Sequence, residues 1–138
     1  MNGEIVKISL KQIMIAVPII KKMISVYLPV QASYWIKRNT DNMVSKLKKL
    51  EEDRNSLIRK HGIKDEATGN IVVDKTNELY WADYNLLLEE IVEVMINKVS
   101  VNNLKNTELS MQDIAAIEFM LKDNNDESKI VVSNNLIV

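Results

Sequence analysis

Residues Val30 to His61 read V-Q-A-S-Y-W-I-K-R-N-T-D-N-M-V-S-K-L-K-K-L-E-E-D-R-N-S-L-I-R-K-H, and this stretch decides the fold. Ile36, Thr40, Met43, Leu47, Leu50, Arg54, Leu57 and His61 recur in alternating steps of four and three. That spacing places them on one side of a long helix, with the periodicity of a heptad seam. A straight helix drifts off such a stripe by about 20° per heptad, so gentle coiling against a neighbour is expected. Thr40, Arg54 and His61 are imperfect seam residues. They favour a helical hairpin within the domain, or a short oligomeric bundle, over a free two-stranded coiled coil. Pro29 suits the first turn of this helix, and Gly62 follows it as a stop signal.

Beyond the helix, residues 63–74 predict a small β-hairpin with Thr68, Gly69 and Asn70 at its turn. Asp74 or Thr76 then caps a third helix, which carries Leu79, Tyr80, Tyr84, Leu87, Leu88, Ile91 and Met95 on one broad face. A loop or extended piece is expected from about Asn97 to Glu108, with Val99 and Val101 alternating. Ser110 caps a last helix that includes Ile114, Ile117, Phe119, Met120 and Leu121.

Before the long helix, Ile5, Lys7 and Ile8 suggest a short edge strand. Ser9 and Gln12 form a capping box. The first helix is expected to reach about Tyr27, with Ile13, Ala16, Val17, Ile20, Ile24 and Leu28 on one face and a kink or restart at Pro18. Taken together, the reading is a mainly α chain with a small β element. Its long helix packs in an antiparallel helical hairpin beside two shorter helices and one small β-hairpin. Residues 1–121 form a single helical domain. Residues 122–138 are a polar linker followed by an apolar tail, K-I-V-V-S-N-N-L-I-V, that needs a pairing partner in the hairpin or in another subunit.

Composition narrows the chemistry. Cysteine is absent, so disulfides, thiolate metal sites and a cysteine nucleophile are excluded. His61 is the single histidine, and three scattered glycines cannot build a phosphate-binding loop. The longest apolar run, Ile13 to Ile20, is far shorter than the ~20 residues of a membrane span, and it ends at Lys21 and Lys22. Neither a membrane role nor secretion is therefore expected. Residues 1–61 carry 12 Lys/Arg against 5 Asp/Glu, a net of +7; residues 62–138 carry 6 against 14, a net of −8. Two halves that neutralise each other by packing are the simpler reading. A basic arm on nucleic acid is the alternative.

The candidate residues divide into two sets. Trp35, Trp81 and the tail residues Ile130, Val131, Val132, Leu136 and Ile137 are candidates for partner binding, because aromatic and apolar anchors dominate interfaces. Lys46, Lys48, Lys49, Arg59 and Lys60 form a candidate basic face, interrupted by Glu51, Glu52 and Asp53. Glu89 and Glu93 share a face if the third helix extends through them, yet no further ligand supports a metal there. No catalytic, cofactor-binding or metal-binding residue is assigned, and no cofactor is expected.

The segments K-I-S-L-K-Q-I, P-V-Q-A-S-Y-W-I-K, K-L-K-K-L-E-E-D-R-N-S-L-I-R-K-H-G, D-E-A-T-G-N-I-V-V and E-L-S-M-Q-D-I-A-A-I-E-F occur in this order. In their order and spacing they resemble a family of small phage and prophage proteins with no assigned activity. The resemblance spans roughly residues 7–121 and leaves the tail outside. It implies a bacteriophage setting, either in the virion or in the host cytoplasm, and transfers no functional residues. The function expected is that of a non-enzymatic accessory or structural protein acting through protein–protein contacts. Its partners would be other phage structural subunits or a second copy of itself. The alternatives are a small phage protein that binds and inhibits or redirects a host factor, and a nucleic-acid-binding accessory protein.

Overall fold

The computed structural model describes residues 3–23 and 25–123. In chain order its elements are β1 (Glu4–Ser9), α1 (Leu10–Lys21), α2 (Val30–His61), β2 (Ile63–Lys64), β3 (Ile71–Val72), α3 (Glu78–Leu88), β4 (Ile91–Ile96), β5 (Val99–Ser100), α4 (Met111–Ile117) and β6 (Leu121–Lys122). One-turn 3₁₀ segments at Val101–Leu104 and Glu118–Met120 connect the last of them. The architecture is mainly α with a small β component, as the periodicity predicts.

The long helix forms unbroken, and its stripe is the spine of the core. Ala32, Ile36, Met43 and Leu50 are buried, and Leu47 packs against them. Arg54 points to water instead, since no apolar neighbour compensates its desolvation there. The stripe packs on α1, α3 and β4 together, not on a single parallel mate. The heptad spacing thus serves a mixed layer of helices and strand. α3 runs back along α2: its start lies beside His61, and Tyr84 shares a cleft with Leu47, Leu50 and Arg54.

Gly62 does stop the helix, but with φ −89° and ψ 168°, in extended rather than left-handed backbone. What requires glycine here is space. A Cβ would lie 2.5 Å from the Ile58 carbonyl oxygen and 2.6 Å from Ile71 Cγ2. The hairpin β2–β3 turns through Gly69, whose φ of +77° suits a residue without Cβ.

Four expectations are corrected. The first helix ends at Lys21 rather than near Tyr27, and it continues through Pro18 without restarting. Met23 is still buried and Leu28 partly so, because a turn, not a helix, returns them to the core. Leu28 precedes Pro29, whose ring disfavours helical backbone at that position. The cap of α3 is Asn77, which accepts from the Tyr80 amide; Asp74 accepts instead from the amide and hydroxyl of Thr76.

The third correction is the largest. α3 stops at Leu88, and Ile91 to Ile96 form strand β4. β4 pairs antiparallel with β1 in a register from Glu4 opposite Ile96 to Ser9 opposite Ile91. The β-branched run I-V-E-V-M-I fits a pleated sheet better than a helix. Glu89 caps the end of α3 and Glu93 lies on β4 opposite Lys7, so they do not share a helix face. Fourth, the last helix ends at Ile117. Lys122, assigned to the polar linker, belongs to β6, which pairs parallel with β5 inside the segment read as loop.

Two capping boxes fix helix starts. Ser9 with Gln12 opens α1, and Ser110 with Asp113 opens α4. The charge-divided halves also meet. Lys22 reaches Asp113 at 2.9 Å, and His61 and Lys60 reach Asp83 at 2.9 and 3.6 Å, each joining the basic first half to the acidic second.

Candidate interaction surfaces

α3 reads E-L-Y-W-A-D-Y-N-L-L-L and is apolar on more than one side. Tyr80 is buried, and Tyr84, Leu87 and Leu88 pack on the core. Leu79, Ala82 and Leu86, spaced three and four apart, fall on another face, where Leu79 is 71% and Leu86 67% exposed. Burying a leucine side chain is worth about 1.5–3 kcal/mol. Two neighbouring leucines left in water are therefore a substantial unspent driving force. Trp81 lies well round the helix from this stripe, at 43% exposure, with its ring N–H donated to the Lys75 carbonyl at 3.0 Å. Its edge-to-face contacts with Tyr80 and Tyr84 hold the ring in place.

A polar latch at the end of α2 also holds the first half of α3. His61 Nε2 lies 2.9 Å from Asp83 Oδ2, and the Asn77 side chain donates to the His61 carbonyl at 3.4 Å. The His61 hydrogen bond, with help from the Lys60 charge, holds the Asp83 carboxyl below its ordinary value of 3.8. A carboxyl with a lowered folded-state pKa contributes stability that is present above its unfolded value and lost as pH falls through the folded one. Acid unfolding of the wild type below about pH 4 is thus expected to draw on this latch. Asp83→Asn should flatten the stability–pH curve in that window, measured by urea midpoints at successive pH values. An unchanged slope would show that the latch carries no linkage.

The other sequence-derived candidates are dispersed. Trp35 is half-buried on α2 in an edge-to-face contact with Tyr34 at 4.9 Å, so it is less a surface anchor than a core residue. Its indole N–H is buried without an acceptor among the described residues. Lys46, Lys48, Lys49, Arg59 and Lys60 are all exposed, but they do not form one face. At ~100° per residue, Lys48 and Arg59 share a side of α2, while Lys46, Lys49 and Lys60 lie further round with Glu52 between the groups. Lys49 is bound to Asp53 at 2.9 Å, a pairing that raises its pKa, and Lys60 reaches Asp83. The tail candidates Ile130, Val131, Val132, Leu136 and Ile137 lie outside the described residues.

Two features escaped the sequence reading. The outward face of the β1–β4 ribbon displays Ile5, Ile91 and Met95, hidden from view while residues 91–95 were assigned to a helix. The alternating β-branched density of I-V-E-V-M-I was the available signal. An apolar cleft of about 320 Å³ also opens between the end of α1, the turn after it and α2, lined by Ile20, Met23, Val26, Leu28 and Ile36. Among the described residues no three His, Asp or Glu side chains gather where they could hold a metal ion, and no helix is long and apolar enough to cross a membrane.

Comparison of the chain with protein-family models, with curated proteins and with solved structures finds no match in any of the three.

Proposed function

We propose that this chain is a non-enzymatic accessory or structural protein that works by protein–protein contact, with the exposed face of α3 as its main contact surface. One observation carries the reading. Leu79, Ala82 and Leu86 form an apolar stripe in water on a helix whose opposite side is already packed. Scattered exposed leucines are ordinary, whereas two large leucines in a stripe at helical spacing make a contiguous apolar patch of the kind that marks a contact surface. The bacteriophage setting rests on the resemblance of the sequence segments alone.

The test places a photo-crosslinking residue at Leu79, at Leu86 or, as a control, at the exposed Ser56, in cells that produce the protein. One discrete protein adduct from both leucine positions and none from Ser56 is the expected result. Absence of adducts, or the same diffuse pattern from all three positions, would overturn the proposal. A partner found in phage particles at fixed stoichiometry identifies a structural subunit, and a single host protein identifies a host-directed factor.

A further inference from the structure

We infer that the outward face of the β1–β4 ribbon is a self-complementary surface through which two copies of this chain associate. In antiparallel pairing, directly opposed residues share a face of the sheet. The register therefore puts Ile5 beside Met95, Lys7 beside Glu93, and Ser9 beside Ile91 on one side. The other side carries Val6, Ile8, Val94 and Ile96 into the core. A two-stranded ribbon with one solvated face normally alternates apolar-in and polar-out. This one also turns three apolar side chains outward, with Ile5 54%, Ile91 59% and Met95 44% exposed, beside Lys7, Glu93 and Ser9.

The charges choose the occupant. Lys7 and Glu93 sit opposite each other at the middle of the face, and among the described residues neither makes an ion pair within the chain. A two-fold axis parallel to the strands lays β1 of one copy over β4 of the other. Each Lys7 then faces a Glu93 across the interface, twice by symmetry. At one end Ile5 and Met95 of both copies form an apolar cluster, and at the other Ile91 covers Ser9. Isologous contacts require such a patch, complementary to itself. The face measures roughly 20 Å by 10 Å, about 200 Å² per copy at ordinary strand spacings. That is well below the ~800 Å² per partner of a tight interface, so association is weak and shows only at high protein concentration. The surface is separate from α3, and the inference stands even if the α3 stripe has no partner.

The test is a charge exchange read by sedimentation equilibrium of the full chain from 10 µM to 1 mM. The wild type should approach dimer mass at the top of this range. Lys7→Glu alone and Glu93→Lys alone should remain monomeric, because each opposes like charges across the axis. An equimolar mixture of the two variants should recover dimer mass. Each variant keeps its own like-charged pair within the chain, so recovery on mixing can arise only between chains. A wild type that stays monomeric at 1 mM, or a mixture no heavier than its components, overturns the inference. If either variant fails to fold, as judged by helical circular dichroism, methyl NMR of the wild type decides. Dilution shifts confined to Ile5, Ile91 and Met95 support the dimer; their absence, or shifts centred on Leu79 and Leu86, overturns it.

Discussion

Asn39→Leu is expected to destabilise the protein by about 2–5 kcal/mol, although it exchanges a polar side chain for an apolar one of similar size in the middle of the core. Asn39 is 0% exposed on the buried stripe of α2. Its amide nitrogen donates to the Asn97 carbonyl and its oxygen accepts from the Asn97 N–H, both at 2.8 Å. Asn97 directly follows β4 and is itself 7% exposed, so no water stands ready to replace these bonds. Each buried backbone group left unpaired costs about 1–3 kcal/mol, which exceeds what the extra apolar contact of a leucine returns. The same helix also donates from Asn42 to the Met95 carbonyl at 3.0 Å, so side chains of α2 hold the end of the ribbon in place. Because the bonds from Asn39 go to main-chain atoms, Asn97→Ala should cost much less. Urea midpoints for both variants check this. A loss below about 1 kcal/mol for Asn39→Leu, or equal losses for the two, would refute the account.

The second large effect is at Met43, which is 0% exposed at the centre of the same stripe. Met43→Ala removes most of a buried side chain from a site enclosed by packed elements. It is expected to cost about 2–5 kcal/mol, the transfer term plus the cavity left behind. Met43→Leu conserves the volume and should stay within about 1.5 kcal/mol. Lys46→Ala, three residues on and exposed, should lie within about 0.5 kcal/mol of the wild type. The comparison is made from denaturant midpoints at constant m-value, so that a change in compactness is not read as a change in stability. Equal effects at Met43 and Lys46 would mean that the stripe is not the spine of the fold.

These two neighbours on α2 show what could be read in advance. Met43 belongs to the three-and-four spacing and announces its own burial. Asn39 lies three positions after Ile36 and four before Met43, so the spacing puts it on the buried side, yet a polar side chain there does not say what it bonds. Its partner is 58 residues away, and only the docking of β4 on α2 makes its amide indispensable. The candidate surfaces divide in the same way. Trp81 and Trp35 looked equivalent in the chain, and only the packing leaves Trp81 exposed while holding Trp35 half-buried. The stripe of Leu79 and Leu86 was submerged in a helix apolar on several sides, since hydrophobicity alone does not say which side a neighbour takes. Glu89 and Glu93 were misplaced together with β4, because a short apolar run carries both periodicities until a pairing strand selects one.

The residues along the chain sufficed for the long helix, its limits at Pro29 and Gly62, the capping boxes of α1 and α4, the hairpin turn at Gly69 and the mainly helical class. All of these follow from interactions within a few positions, where side-chain spacing, a capping hydroxyl or a missing Cβ decides the backbone. Tertiary structure alone decided that Ile91–Ile96 is a strand, that Asn39 bonds the Asn97 backbone, that Asp83 latches His61, and that the β1–β4 ribbon turns Ile5, Ile91 and Met95 outward. Those outcomes depend on which distant segment supplies the hydrogen bonds and covers the surface, and that choice is made by the packing of the whole chain.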